Sequence, residues 1–163
     1  MSFYGVISTI KGYDDMPIEY STKKLEKVTG AEKYPISIWA GCKLLKSEGI
    51  EYNWVKGSLT TNEAYKDILD HLFKGMPVIV SLSKDNRAGK EDKRYTNYEH
   101  YSLLIGVTND GKKGYLLDSG AKLPRYLDLL DLCEHIPATK NSPDYKPIWN
   151  GWTNAEGYVK VEM

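Results

Sequence analysis

The sequence predicts an α+β domain, helices first and an antiparallel sheet after them. Three observations carry that prediction. Up to Gly75 the apolar residues recur at helical spacing, and beyond it they come in short, β-branched runs. The chain has 163 residues, 41% apolar and 27% charged, the size and composition of one domain with its own core. No repeat, low-complexity segment or linker divides it, so residues 1–163 are expected to form a single domain.

Residues 4–12 hold Val6, Ile7 and Ile10 at helical spacing and predict a short helix. Ser21 is a suitable N-cap for a second, with Tyr20 and Leu25 at the staple positions and Gly30 to close it. A third is expected over about 37–48, with Ile38, Trp39, Cys42 and Leu45 on one face and Gly49 as its stop. The fourth has the clearest signature. Thr60-x-x-Glu63 is a capping box, Tyr65, Ile68, Leu69, Leu72 and Phe73 form its apolar positions, and Gly75 ends it.

The period then changes. Residues 76–82 (MPVIVSL) read as a buried strand. The stretch 84–98, KDNRAGKEDKRYTNY, has five basic and three acidic residues and no aliphatic side chain beyond Ala88, so it reads as a long solvated loop. Residues 100–107 form a second strand, Asn109-Asp-Gly111 a turn and 114–117 a third strand, giving a hairpin over 100–118. A helix near 125–134 and an alternating strand over 158–161 complete the pattern.

Composition excludes several functions. The 22 basic and 22 acidic residues cancel, which argues against broad capture of nucleic acid. No apolar run approaches the roughly 18 residues of a membrane span, and the start MSFYGVISTIKGYDD lacks the features of a signal peptide. Cys42 and Cys133, 91 positions apart, make no disulfide framework, so free thiols and a cytoplasmic setting are expected. Tyrosine occurs 13 times against two phenylalanines. Rings that carry hydroxyls suit half-wet contact patches, although biased usage accounts for them equally well. Tyr4, Tyr101, Trp149 and Trp152 are the candidates for touching a peptide or protein partner; the two tryptophans of Pro147-Ile-Trp-Asn-Gly-Trp152 serve equally to pin a C-terminal loop.

The chemistry gathers around His100, which opens one strand, and Asp118, which ends the next. If those strands pair through the 108–113 turn, both residues come to one end of the hairpin. A carboxylate there can accept the imidazole Nδ1–H, fix the tautomer and stabilise imidazolium, the base-and-orienter half of a nucleophilic triad. Spacing alone favours a surface histidine and a turn aspartate in Asp-Ser-Gly.

A resemblance sharpens this. Gly75-Met-Pro-Val-Ile-Val80, then His100-Tyr-Ser-Leu-Leu-Ile-Gly106, then Tyr115-Leu-Leu-Asp118-Ser-Gly120 resemble, in order and spacing, the second half of papain-like cysteine peptidases of the C39-like group. Leu25-Glu-Lys-Val-Thr-Gly30 and Lys46-Ser-Glu-Gly-Ile50 are similar to that group's helical half, so the likeness spans roughly 2–135. It implies a papain-like fold, N-terminal helices packed on a C-terminal antiparallel sheet. It also implies that His100 stands at the catalytic histidine and Asp118 at its orienting aspartate, with Ser119 in place of the usual proline.

The nucleophile departs from the pattern. The group places a cysteine at the N-terminus of its first helix, with a glutamine a few residues upstream that helps form the oxyanion hole. Here Ser2 or Tyr4 falls near the cysteine position, and no upstream glutamine precedes it in this sequence. Cys42 copies the family order with His100 and Asp118, but a mid-helix cysteine beside Trp39 and Leu45 reads as a small hydrophobe, as does Cys133 among Leu129, Leu130 and Leu132.

Other signals are thinner. His71 and His135 have no partner at metal-ligand spacing, Asp128, Asp131 and Glu134 read as a solvated helix face, and no glycine-rich phosphate loop is present. No metal and no cofactor is expected. Two functions follow as expectations: a degenerate, non-catalytic C39-like domain that binds a peptide or protein, or a hydrolase or transferase on a peptide or amide bond with His100 as base.

Overall fold

A computed structural model describes residues 7, 9–11, 27, 38–55, 59–82, 100–117, 125–135 and 157–162. The elements are α1 (Ile38–Ser47), β1 (Glu51–Val55), α2 (Thr61–Phe73), β2 (Val78–Leu82), β3 (His100–Val107), β4 (Lys113–Leu117), β5 (Arg125–Asp128), α3 (Leu129–His135) and β6 (Tyr158–Glu162). Residues 7, 9–11 and 27 are also helical, inside the two N-terminal helices the sequence predicts. The rest of those two segments and the loop expected at 84–98 lie outside the described residues.

The local signals act as their chemistry requires. Thr60 Oγ1 accepts from the Glu63 N–H at 3.2 Å, and Glu63 Oε2 accepts from the Thr60 N–H at 3.3 Å, so α2 begins with a reciprocal capping box. It stops where Gly75 adopts φ 77°, a left-handed conformation that a Cβ would strain. Gly49, at φ 71°, ends the turn after α1 in the same way.

The six strands form one antiparallel sheet in the order β1-β6-β2-β3-β4-β5. The pleat sends alternate side chains to opposite faces, and helices cover both. On one face Ile79, Tyr101, Leu103, Val159 and Val161 join Ile7 and the α1 residues Ile38, Cys42, Leu44 and Leu45. On the other, Val78, Val80, Leu104, Leu116 and Tyr158 join Ala64, Ile68 and Leu72 of α2 and Leu129, Leu132 and Cys133 of α3.

Three sequence expectations change. Helices do not all precede the sheet: β1 lies between α1 and α2 and pairs with β6, the last strand. The helix expected near 125–134 is β5 followed by α3, with Asp128 as the hinge; its Oδ1 accepts the Asp131 N–H at 2.8 Å. Phe73, placed on the apolar face of α2, is 56% exposed, because that face is completed by buried His71 and Leu72.

Candidate active site

The β-ladder gathers three strand ends. Leu82, the last residue of β2, pairs with His100, the first of β3. Leu117, the last of β4, pairs with Leu103. β2 therefore leaves, β3 enters and β4 leaves at the same end of the sheet, and the residue after Leu117 in the chain is Asp118. The hairpin turn between β3 and β4 is fixed by its own side chains. Thr108 Oγ1 donates to Asp110 Oδ1 at 2.7 Å, and Asp110 Oδ1 also accepts from the Lys112 N–H at 3.0 Å. The Lys112 and Thr108 hydrogen bonds hold the Asp110 carboxyl below the usual carboxylate range.

Of the residues singled out in the sequence, His100 has a backbone position in the ladder, while Asp118, Ser2, Tyr4, Trp149 and Trp152 lie outside the described residues. Tyr101 is placed differently from expectation. It is 4% exposed and belongs to the core on the α1 face, because its position in β3 turns it under α1 rather than toward solvent.

Both thiols are interior. Cys42 is the fifth residue of α1, away from the helix N-terminus, and is 3% exposed within the core. Cys133 is fully buried; desolvation, aided by the charge of Asp128, pushes its thiol up to about 12. A thiol so far above neutrality holds its proton and is not a nucleophile.

Two features escaped the sequence reading. Asp67, on α2, accepts from the Tyr158 hydroxyl at 2.6 Å and from Lys160 Nζ at 2.9 Å, while buried His71 sets Nε2 2.9 Å from the Val161 carbonyl oxygen. A carbonyl only accepts, so that nitrogen carries the proton. Three polar links thus tie α2 to β6, contacts between positions some ninety residues apart that no local pattern reveals. The second is Ser102 in β3, wholly buried, with Oγ that makes no hydrogen bond.

Among the described residues no group of His, Cys, Asp and Glu is arranged to hold a metal ion, and no helix is long and apolar enough to cross a membrane. No curated protein matches the chain. The model of the Peptidase_C39 like family matches residues 19–129, a narrower span than the 2–135 of the motif resemblance. The match takes in the G-x-P-V-I-V strand, His100 and Asp118, and leaves Ser2 and Tyr4 outside it. Because it covers more than half of the 163 residues, with the motif strands falling in order on β2, β3 and β4, the chain belongs to the peptidase C39-like family.

Proposed function

We propose that this chain is a C39-like peptidase domain that holds a peptide segment of a partner protein at the His100 end of the sheet without cleaving it. One observation carries the reading: the 163 residues contain two cysteines, and both are core side chains. Thiol catalysis needs an accessible thiolate beside its base, and neither Cys42 nor Cys133 offers one. His100 and Asp118 then act as a polar pair that hydrogen-bonds the bound peptide. The balanced charge and the 13 tyrosines suit a polypeptide ligand better than a polyanion.

The order of His100 and Asp118 favours a second reading. A histidine opening β3 and an aspartate following β4 are the base and orienter of an acyl-transfer site. The imidazole would then take the proton of a nucleophile, either Ser2 or a cysteine outside these 163 residues. The chain would be a hydrolase or transferase on a peptide or amide bond.

Incubation with a mixed peptide pool, followed by amide NMR and mass spectrometry, separates the two. The binding reading expects shifts at Leu82, His100 and Leu117 with the peptides intact. Cleavage products that vanish in a folded His100→Ala variant would establish the hydrolase instead. Intact peptides with no shifts would refute peptide binding at this end of the sheet.

A further inference from the structure

β5 is one edge of the sheet: it pairs with β4, and among the described residues no strand lies beyond it. The ladder fixes which of its backbone groups face outward. In an antiparallel pair, successive residues alternate between exchanging both hydrogen bonds with the partner strand and exchanging none. The Leu129 N–H donates to the Lys112 carbonyl at 2.9 Å, and Lys113 stands opposite Asp128. Leu127 therefore bonds with Gly114 and Arg125 with Leu116, while the backbone groups of Tyr126 and Asp128 point away from β4. The Asp128 carbonyl heads the first turn of α3, which leaves the Tyr126 N–H, the Tyr126 C=O and the Asp128 N–H along the open edge.

Two side chains stand beside those groups on one face of the sheet. Tyr126 is 59% exposed, with its ring 4.3 Å from that of Tyr115 in a T-shaped contact, so a large apolar surface is held next to the edge. Asp128, two residues on, is exposed, and among the described residues no cation pairs with it. An extended peptide laid antiparallel along β5 exchanges both bonds with Tyr126 and meets the Asp128 N–H with a carbonyl. Its residue opposite Tyr126 then packs on the ring, and the residue two positions earlier faces the Asp128 carboxylate. We propose that β5 is a strand-addition site for an extended segment of a partner protein that carries a basic residue two positions before a branched aliphatic one. This site is separate from the His100 end of the sheet and does not rest on the function proposed there.

The probe is the capped peptide acetyl-Thr-Thr-Lys-Thr-Ile-Thr-Thr-amide, added to the full chain and followed by amide NMR and hydrogen exchange. The amides of Tyr126 and Asp128 should exchange about tenfold more slowly with the peptide bound. Methylating the backbone nitrogen of the peptide's isoleucine should remove that protection, because the Tyr126 carbonyl loses its donor. Glutamate in place of the peptide's lysine should weaken binding about fivefold. In Asp128→Asn, which keeps a good N-cap for α3, the two peptides should bind alike. Unchanged exchange at both amides in millimolar peptide overturns the proposal. So does binding that the N-methylated peptide retains, since docking then uses side chains alone, and so does equal affinity of the parent chain for the lysine and glutamate peptides. Protection already present in the chain alone and lost on dilution makes a second copy the occupant, and overturns it as well.

Discussion

Asp67 is the residue on which the junction of α2 and β6 turns. Burial alone would push its carboxyl up. The hydrogen bonds from Lys160 and Tyr158, together with the charges of Lys160 and His71, outweigh that and hold it below the usual carboxylate range. Burial, with the Asp67 bond, pushes the Tyr158 phenol upward, so that hydroxyl remains a donor at any ordinary pH. A carboxyl with a depressed pKa contributes stability above the unfolded-chain value of about 3.9. That contribution is lost as pH falls through its own lower value. Asp67→Asn should therefore lower the urea midpoint at neutral pH, by an amount equivalent to about 1 kcal/mol, and the gap to the parent chain should close as the solution is made strongly acid. A gap that persists unchanged in acid would assign the loss to packing rather than to the charge. His71 needs no such titration to matter, since its Nε2–H satisfies a buried β6 carbonyl.

At the scale of elements, α2 was legible to within a residue because both its ends are written in side-chain chemistry: a capping box at Thr60 and Glu63, and a left-handed Gly75. Thr60→Ala should cost about 1 kcal/mol in urea unfolding, the usual value of an N-cap. Gly111→Ala should cost more than its exposed turn would imply. Gly111 has φ 74°, and a Cβ there would lie 3.2 Å from both Leu69 Cδ1 and the Tyr65 hydroxyl, which donates to the Gly111 carbonyl at 2.9 Å. A melting temperature equal to that of the parent would refute this. β1 was missed because Glu-Tyr-Asn-Trp-Val alternates over only five residues and reaches a β-branched residue only at Val55; its strand character comes from pairing with β6, over a hundred residues on. β5 was merged into a helix because Tyr126, Leu127, Leu129 and Leu130 mimic a helical run. The Asp128 cap that separates the two was read as part of a solvated face. Edge strands of four residues carry little periodicity of their own.

Over the whole molecule, the last strand lies inside the sheet, between β1 and β2, so the sheet is complete only when residues 158–162 are in place. Truncation before Tyr158 should leave β1 without its partner and abolish cooperative unfolding, a loss that circular dichroism during thermal denaturation would record. The hairpin that begins at His100 could be read from sequence because strand, turn and strand are local. That the two thiols belong to the core was likewise legible, from their apolar neighbours, and burial bears it out. Both cysteines of this C39-like domain are buried, and mass-spectrometric mapping of iodoacetamide labelling of the native chain at neutral pH tests most directly whether either is a reactive thiol. Neither Cys42 nor Cys133 should be modified until denaturant is added, whereas rapid native labelling of Cys42 that is lost in His100→Ala would show a reactive thiol and contradict this.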